Sequence, residues 1–250
     1  MHNKSKDILM LSKNQIKLIK SLAQKKYRSQ HHLFIVEGEK GISEFLNSDY
    51  ELEKLYTTET IFDLDEQNLI TNSELKKISN LKTPNTALAV FKIPDTKPIE
   101  SKFILALDNV RDPGNLGTII RLCDWFGIED LVCNFETVDC YNPKVVQSTM
   151  GSLSRVNVSY SNLENFLKGS DLPTYGAFMD GENIYGQKLP NEGVVILGNE
   201  ANGISKSIES LTEIKLAIPR FGRLKNTESL NVATATAIVL SEFKRNTTER

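Results

Sequence analysis

The chain has 250 residues, of which 40% are hydrophobic and 25% charged, and its formal net charge is −2. This composition is typical of a folded globular protein and excludes disordered and collagen-like classes. No apolar run reaches the roughly 18 residues of a membrane span, and the first residues lack the apolar stretch of a signal peptide. The three cysteines form no Cys-x-x-Cys pair, which favours a reducing cytoplasm.

The small net charge conceals a basic N-terminal arm, residues 1–32, which holds eight Lys or Arg and one acidic residue. Such a local patch is typical of proteins that bind RNA phosphates. The sequence therefore predicts RNA contacts for Lys17, Lys20, Lys25, Lys26 and Arg28. The alternative is that the lysines only form the solvated face of a helix. His31 and His32 end the arm and are not expected to bind a metal.

Helix and strand signals alternate through the first 96 residues. Ser12 can cap a helix, Gln15 occupies the capping-box position, and Leu11 can pack on Ile16. The later signals are an apolar run at 33–36, a helix around 42–46, a segment at 54–58, a helix around 73–79 and a strand at 87–92. These elements predict a small α/β domain over 1–96. Its end lies in a linker at 93–100, which contains two prolines.

The pattern changes over residues 97–250, where continuous apolar runs alternate with amphipathic stretches. Buried strands are predicted at 103–107, 131–133, 175–179, 194–197 and 214–218. Helices are predicted at 117–126, 143–150, 161–168, 204–211 and 229–244. Buried strands that alternate with helices predict a second domain over 97–250 with a mostly parallel sheet covered on both faces.

The first predicted strand of this domain is followed by a loop rich in glycine and small polar residues, residues 107–117. A helix that starts near Asn115 or Gly117 would direct free N–H groups at an anion, and Arg121 would lie one turn inside it. The alternative is a Pro-Gly turn with a surface arginine. The loop contains neither the Gly-x-Gly-x-x-Gly nor the Walker A pattern, so a conventional nucleotide-binding enzyme is disfavoured.

Two further loops follow predicted strands. In the loop at 197–204, two glycines flank Glu200, and the alternative is a helix cap with Asn202 and Gly203 as turn residues. In the loop at 218–231, Ser229 or Thr227 can cap the last helix. Phosphate contacts are predicted for the basic residues of this loop, Arg220, Arg223 and Lys225, and the alternative is a solvated loop.

Together the three loops resemble those of the SpoU (TrmH-type) RNA ribose 2′-O-methyltransferases of the SPOUT class. The residues that match are Asn115 and Arg121 in the first loop, Gly198-Asn199-Glu200 in the second, and Ile218-Pro219 with Ser229-Leu230-Asn231 in the third. The stretch 142–151 is also similar to that family. Phe34–Gly38 and Thr83-Pro84 resemble its N-terminal substrate-binding domain.

The resemblance implies an α/β fold with a parallel sheet and a C-terminal trefoil knot, S-adenosylmethionine as cofactor and a homodimer with no metal. The implied reaction is methylation of a ribose 2′-hydroxyl in structured RNA, with ribosomal RNA favoured over tRNA. The implied methyl-transfer site contains Arg121, Asn115, Glu200, Ser229 and Asn231. The implied cofactor site contains Gly198, Ile218, Leu230, Asn231, Leu197, Met179 and Ala177.

Arg121 is the first candidate among these residues. A guanidinium stays protonated at neutral pH and is a poor base, so Arg121 is expected to bind a phosphate bidentately and align the hydroxyl. The 2′-hydroxyl proton would then leave to water or to a phosphate oxygen. The alternative function is a catalytically silent RNA-binding or ribosome-assembly factor on the same fold.

Overall fold

The computed structural model describes residues 8–64, 67–222 and 229–245. The described residues of 1–95 and 141–154 form one compact unit, unit 1, and those of 96–140 and 155–250 form unit 2. The helices are α1 (Lys13–Ser21), α2 (Lys25–His31), α3 (Glu39–Leu46), α4 (Asn72–Ile78), α5 (Pro113–Phe126), α6 (Pro143–Thr149), α7 (Leu163–Lys168), α8 (Lys206–Glu209) and α9 (Val232–Arg245). The strands are β1 (Leu33–Glu37), β2 (Leu52–Thr57), β3 (Asn68–Leu69), β4 (Ala87–Lys92), β5 (Phe103–Leu107), β6 (Asp130–Cys133), β7 (Asn157–Tyr160), β8 (Thr174–Asn183), β9 (Gly193–Leu197) and β10 (Ile214–Ala217).

Unit 1 is built on a four-stranded sheet in the order β1-β4-β2-β3. Strand β4 is antiparallel to β1 and β2, and β3 is parallel to β2. An apolar cluster that includes Ile19, Ile35 and Leu75 packs α1 and α4 on one face of this sheet. The capping box predicted for α1 is confirmed, because Ser12 Oγ accepts from Gln15 N at 3.2 Å and Gln15 Oε1 accepts from Ser12 N at 2.8 Å.

An aromatic cluster occupies the other side of β1, since successive side chains of a strand point to opposite faces. The ring centroids of Phe34 and Phe91 lie 6.0 Å apart, and that of Tyr141 lies 4.7 Å from Phe34. The Tyr141 hydroxyl is 3.2 Å from that of Tyr50. Helix α6 follows Tyr141 and packs against β1. Residues 141–154 therefore belong to unit 1, although the sequence division places them in the predicted domain 97–250.

Unit 2 contains a six-stranded sheet in the order β10-β8-β9-β5-β6-β7, in which every neighbouring pair is parallel. Every residue of β5, β6 and β9 is buried. The predicted parallel α/β architecture is confirmed. Strand β7 has no counterpart among the predicted strands, because only Ser159 of its residues is buried and it forms an edge without an apolar run. No helix within the described ranges is long and apolar enough to cross a membrane.

Asp130, the first residue of β6, fixes the amino edge of this sheet. Its carboxylate is 3% exposed and accepts from Ser101 Oγ at 2.7 Å, Ser101 N at 3.0 Å and Asn157 Nδ2 at 2.7 Å. Burial acts to raise the pKa of Asp130. The hydrogen bonds from Ser101, Asn157 and Glu100 outweigh burial, so the pKa of Asp130 is lowered. The side chain thus ties the segment before β5 and the start of β7 to β6.

We expect Asp130→Asn to lower the free energy of unfolding by about 2 kcal/mol near neutral pH, because an amide N–H₂ would face at least one of these donors. A carboxyl with a lowered folded pKa contributes stability that is fully present above its unfolded pKa, about 3.9, and is lost as pH falls through the folded pKa. The difference between wild type and variant should therefore shrink in acid. Urea unfolding at about pH 7 and about pH 3 measures it, and an equal difference at both would contradict the prediction.

Candidate active site

Three loops with predicted site residues leave the carboxyl edge of the unit 2 sheet. They follow β5, β9 and β10. Strands β5 and β9 are adjacent and parallel, so their loops emerge side by side. Parallel α/β sheets bind their ligands at this edge. The third loop includes residues 223–228, which lie outside the described residues.

Two hydrogen bonds connect the three loops. Asn115 Nδ2 donates to Glu200 Oε1 at 2.8 Å, and Asn231 Nδ2 donates to Asn115 Oδ1 at 2.9 Å. We call Asn115, Glu200 and Asn231 the amide–carboxylate bridge. Its members are far apart in sequence, with Asn231 lying 116 positions after Asn115. The structure therefore brings three of the predicted catalytic residues into direct contact.

The helix after the first loop begins earlier than the sequence indicates. Helix α5 starts at Pro113, and the Asp112 carboxylate caps it by accepting from Asn115 N at 2.8 Å. The expectation that the helix starts near Asn115 or Gly117 is therefore wrong, and the N–H group of Asn115 is not free for an anion. Asp112 already satisfies that group, and its cap fixes the helical turn that carries Asn115.

The last helix is capped by a residue of the bridge. Asn231 Oδ1 accepts from the backbone N–H groups of Ala233 at 3.0 Å and Thr234 at 3.2 Å. The expectation that Ser229 caps this helix is wrong, and the other candidate, Thr227, lies outside the described residues. The side-chain oxygen of Asn231 caps α9, and its amide nitrogen donates to Asn115 in the bridge. One side chain therefore connects the start of α9 to the bridge.

The loop after β9 is a tight turn that presents Glu200. The backbone N–H of Asn199 donates to the carbonyl of Gly203, and the N–H of Gly203 donates to that of Asn199, both at 2.9 Å. Asn199 Oδ1 accepts from the N–H groups of Ala201 and Asn202 inside the turn. Gly203 has a φ of +67°, a left-handed conformation that glycine adopts without strain. The glycine thus serves the turn, and the turn holds the carboxylate.

The other two predicted catalytic residues, Arg121 and Ser229, are exposed. Neither side chain makes a hydrogen bond or ion pair to another described residue. Arg121 lies in α5, the helix whose first turn carries Asn115. The structure therefore does not join Arg121 or Ser229 to the bridge, and their donors and acceptors face solvent.

The predicted cofactor residues lie on three neighbouring strands and before α9. Leu197 ends β9 and Gly198 follows it, Ile218 follows β10, and Leu230 precedes α9. Strands β10, β8 and β9 are neighbours in the sheet. A Cβ atom on Gly198 would lie 2.2 Å from the carbonyl carbon of Gly203, a distance that no side chain tolerates. Gly198 therefore packs directly against the backbone of Gly203 and Ile204 and is half-buried at the edge of the sheet.

Ala177 and Met179 lie where β8 separates from β10. Gly176 pairs with Lys215 and Glu182 with Leu216, the next residue of β10, so the intervening part of β8 has no partner there. Met179 is 55% exposed, and Leu230 before α9 is 45% exposed. Exposed apolar side chains and the unpaired backbone of β8 suit a ligand that has both apolar and hydrogen-bonding parts.

Most of the residues predicted to contact RNA are exposed where the structure describes them, namely Lys17, Lys20, Lys25, Lys26 and Arg220. Arg28 is 2% exposed, and its Nη1 donates to Leu22 O at 2.8 Å. The prediction that Arg28 contacts RNA is wrong, because its guanidinium is used inside unit 1. Arg223 and Lys225 lie outside the described residues.

Cys123, Cys133 and Cys140 are buried and carry free thiols. Burial raises the pKa of Cys123 and Cys133, which keeps these thiols protonated and poorly nucleophilic. The cysteines therefore contribute packing and no nucleophile. Over the described ranges, no group of three or more His, Cys, Asp or Glu side chains is placed to hold a metal ion.

Sequence reasoning overlooked Asp108, Asn109 and Asn134. Asn199 Nδ2 donates to Asn109 O at 2.7 Å, and Asn134 Nδ2 donates to Asp108 Oδ1 at 2.8 Å. Asp108 directly follows β5 and Asn134 directly follows β6. A short polar side chain at the carboxyl end of a fully buried strand is the signal that would have found them.

Residues 102–241 match the model of the SpoU rRNA Methylase family, and residues 13–89 match that of an MRM3-like substrate binding domain. The chain is 32% identical over 245 residues to the 23S rRNA (guanosine(2553)-2′-O)-methyltransferase RlmP of Bacillus subtilis, covering 93% of this chain and 97% of that protein. A TrmH-family structure from Porphyromonas gingivalis has 39% identity and a TM-score of 0.87, covering 95% of this chain and 100% of that one. The AdoMet-bound rRNA methyltransferase from Sinorhizobium meliloti has 27% identity and a TM-score of 0.83, covering 96% and 97%.

Proposed function

The chain belongs to the SpoU rRNA methylase family, and we propose that it methylates a ribose 2′-hydroxyl of ribosomal RNA with S-adenosylmethionine as methyl donor. The observation that carries the proposal is the amide–carboxylate bridge, which joins three separate loops at the ligand-binding edge of the sheet. Polar groups held in this way are preorganised for a substrate hydroxyl.

S-adenosylmethionine fits the donor set at the ends of β9 and β10. The half-buried backbone at Gly198 and the residues Leu197 and Ile218 suit the polar edge of an adenine, and the exposed Met179 and Leu230 suit its faces. Ala177 and Asn231 complete the proposed cofactor site. When bound, the cofactor supplies an electrophilic methyl group on a sulfonium.

The residues of the chain position the RNA. Arg121 has an exposed guanidinium and is proposed to hold the phosphate next to the target ribose. Glu200 Oε1 accepts from Asn115, while Oε2 lies 3.5 Å from Asn199 Nδ2 and keeps capacity to accept from the 2′-hydroxyl. The Ser229 hydroxyl is proposed to contact the same nucleotide. The hydroxyl proton then leaves to water or to a phosphate oxygen.

Unit 1 is proposed to bind the RNA and unit 2 to transfer the methyl group; unit 1 differs from the predicted domain 1–96 in that it includes residues 141–154. Unit 1 carries the exposed lysines of α1 and α2. Lys25 and Lys26 begin α2, and Lys26 also lies 5.8 Å from the centre of the Tyr27 ring. These lysines supply the proposed electrostatic contact to phosphates.

Replacing Lys17, Lys20, Lys25 and Lys26 together with Gln should weaken RNA binding at low salt and flatten its salt dependence. Four lost phosphate contacts reduce the slope of log affinity against log salt by about 3. Replacing Lys40, Lys54, Lys76 and Lys82 with Gln, four exposed lysines elsewhere in unit 1, is the matched control. Filter binding across a salt series measures the slopes. If the arm variant and the control give the same slope, the arm lysines are only a solvated face.

A homodimer whose active site is completed by two copies is also proposed. Trp125 supports it, because it lies one turn beyond Arg121 on the same face of α5 and is 84% exposed. A second copy that covers Trp125 would also approach Arg121. Sedimentation velocity should give twice the chain mass of 28.1 kDa. A monomer at micromolar concentration would contradict this arrangement.

The C-terminal segment is proposed to form a trefoil knot, which is supported by the return of Asn231 to Asn115 at the start of α5. The cytoplasm is proposed as the location, because the described cysteines carry free thiols, as expected in a reducing compartment.

The function is tested by transfer of radiolabelled methyl from S-adenosylmethionine to 23S rRNA and to tRNA, with 2′-O-methyl mapping of RNA from wild-type and deletion strains. One ribose of ribosomal RNA should lose its methyl group in the deletion strain. Isothermal titration with S-adenosylmethionine is the companion measurement. A folded protein that binds RNA, gives no heat with the cofactor and transfers no methyl would be the silent RNA-binding factor instead.

A further inference from the structure

Asp108 lies at the centre of the hydrogen bonds that hold the loops after β5, β6 and β9 together. It is 3% exposed, so no substrate can reach it. Its Oδ1 accepts from Asn134 Nδ2 at 2.8 Å and its Oδ2 accepts from Ser205 N at 2.7 Å. A buried carboxylate with two separate donors is costly to desolvate, and it orders the groups that satisfy it.

Asn134 fixes the orientation of the Asp108 carboxylate. Asn134 Oδ1 accepts from Asn109 N at 2.9 Å, Thr137 N at 3.1 Å and Thr137 Oγ1 at 2.8 Å. With its oxygen surrounded by these donors, the amide can only turn its nitrogen toward Asp108. Asn109 has a φ of +66°, uncommon for a residue with a side chain, and these bonds hold it there.

The turn that carries Glu200 is fastened to this network at both ends. On one side of Glu200, Asn199 Nδ2 donates to Asn109 O at 2.7 Å. On the other side, Ser205 N donates to Asp108. The Asn199–Gly203 pairing closes the turn between these anchors. The position of the Glu200 carboxylate relative to Asn115 therefore depends on Asp108 and Asn134, which touch neither.

We propose that Asp108 and Asn134 form a positioning pair that sets the placement of Glu200 for methyl transfer. The inference rests on the proposed function of the site. Asp108→Asn leaves a donor facing a donor, because its amide nitrogen must meet either Asn134 Nδ2 or Ser205 N. A small displacement of a reacting group can cost about 100-fold in rate, so turnover should fall by about that factor. The KM for RNA should change less than about threefold, since phosphate contacts lie elsewhere.

The decisive variant is the double substitution Asp108→Asn and Asn134→Asp, called the exchange, in which the two side chains trade places. In it, the new amide at 108 donates to the new carboxylate at 134 and its oxygen accepts from Ser205 N. The carboxylate at 134 keeps an oxygen for Asn109 N and Thr137. The number and sign of charges are unchanged. Each single variant should lose turnover, and the exchange should restore it to within about threefold of wild type.

Asp130→Asn separates positioning from stability. Asp130 is also 3% exposed and also accepts several hydrogen bonds, but at the amino edge of the same sheet. The Asp130→Asn variant should lose stability while its turnover number per folded molecule stays at the wild-type value. The proposal is overturned if Asp108→Asn keeps wild-type turnover at an equal folded fraction, or if the exchange stays as inactive as the singles. Wild-type protein that transfers no methyl would instead refute the proposed function.

Discussion

Arg121→Ala is expected to lower the turnover number by at least about 100-fold while the Kd for S-adenosylmethionine changes less than about threefold. The guanidinium is exposed in the helix that carries Asn115 and has no hydrogen bond or ion pair to another described residue. Its loss therefore removes a group available to RNA and disturbs no packing. Single-turnover methyl transfer gives the rate, and isothermal titration gives the cofactor affinity.

Arg121→Lys tests the proposed bidentate contact. Lysine keeps the charge but cannot offer two parallel N–H groups, so its rate should lie between those of wild type and Arg121→Ala. Lys168→Ala removes an exposed cation of α7, a helix that carries none of the predicted site residues and on which Lys168 lies 3.8 Å from Glu164, and should leave the rate unchanged. Near-normal turnover by Arg121→Ala would remove Arg121 from the site.

Gly198→Ala is expected to abolish measurable binding of S-adenosylmethionine and with it methyl transfer. The added methyl group would lie 2.2 Å from the carbonyl carbon of Gly203 and from Ile204 N, which are backbone atoms that cannot rotate away. The turn between Asn199 and Gly203 must open to admit it, and Glu200 then leaves Asn115. Overpacking of this kind also costs about 1–3 kcal/mol of stability.

The matched control is Gly186→Ala. A Cβ atom at Gly186 meets nothing within 4 Å, and the residue needs no left-handed φ, so cofactor binding and stability should match wild type. Isothermal titration and thermal unfolding compare the two variants. Tight cofactor binding by folded Gly198→Ala would show that the turn is not part of the cofactor site.

The sequence determines local features of this fold well. The capping box of Ser12 and Gln15 depends on residues three apart, and the burial of β5 and β9 follows from their unbroken apolar runs. The edge strand β7 escapes prediction, because Ser159 is its only buried residue and periodicity has little to act on. The prediction for Arg28 is wrong because the sequence shows its charge but does not show that its guanidinium turns inward and donates to Leu22 O.

For the candidate site, the sequence indicates which residues are present but does not indicate which of them are in contact. Asn115, Glu200 and Asn231 each follow a predicted strand or precede a predicted helix, and this places them near one edge of the sheet. The hydrogen bond from Asn231 to Asn115 depends on the path of the whole intervening chain, which no local pattern encodes. From the sequence alone, Asn231 and Ser229 are equally suitable N-cap residues for α9. The backbone geometry makes Asn231 the cap.

The three crossings of the chain between the two units limit how the protein can be divided. The chain leaves unit 1 after residue 95, returns at 141 and leaves again after 154. A polypeptide cut between 96 and 97 would strip the ring of Tyr141 from Phe34 and leave Val145 and Val146 without their packing. A chimaera that exchanges unit 1 for the corresponding unit of a relative must therefore transplant two separate stretches of polypeptide together.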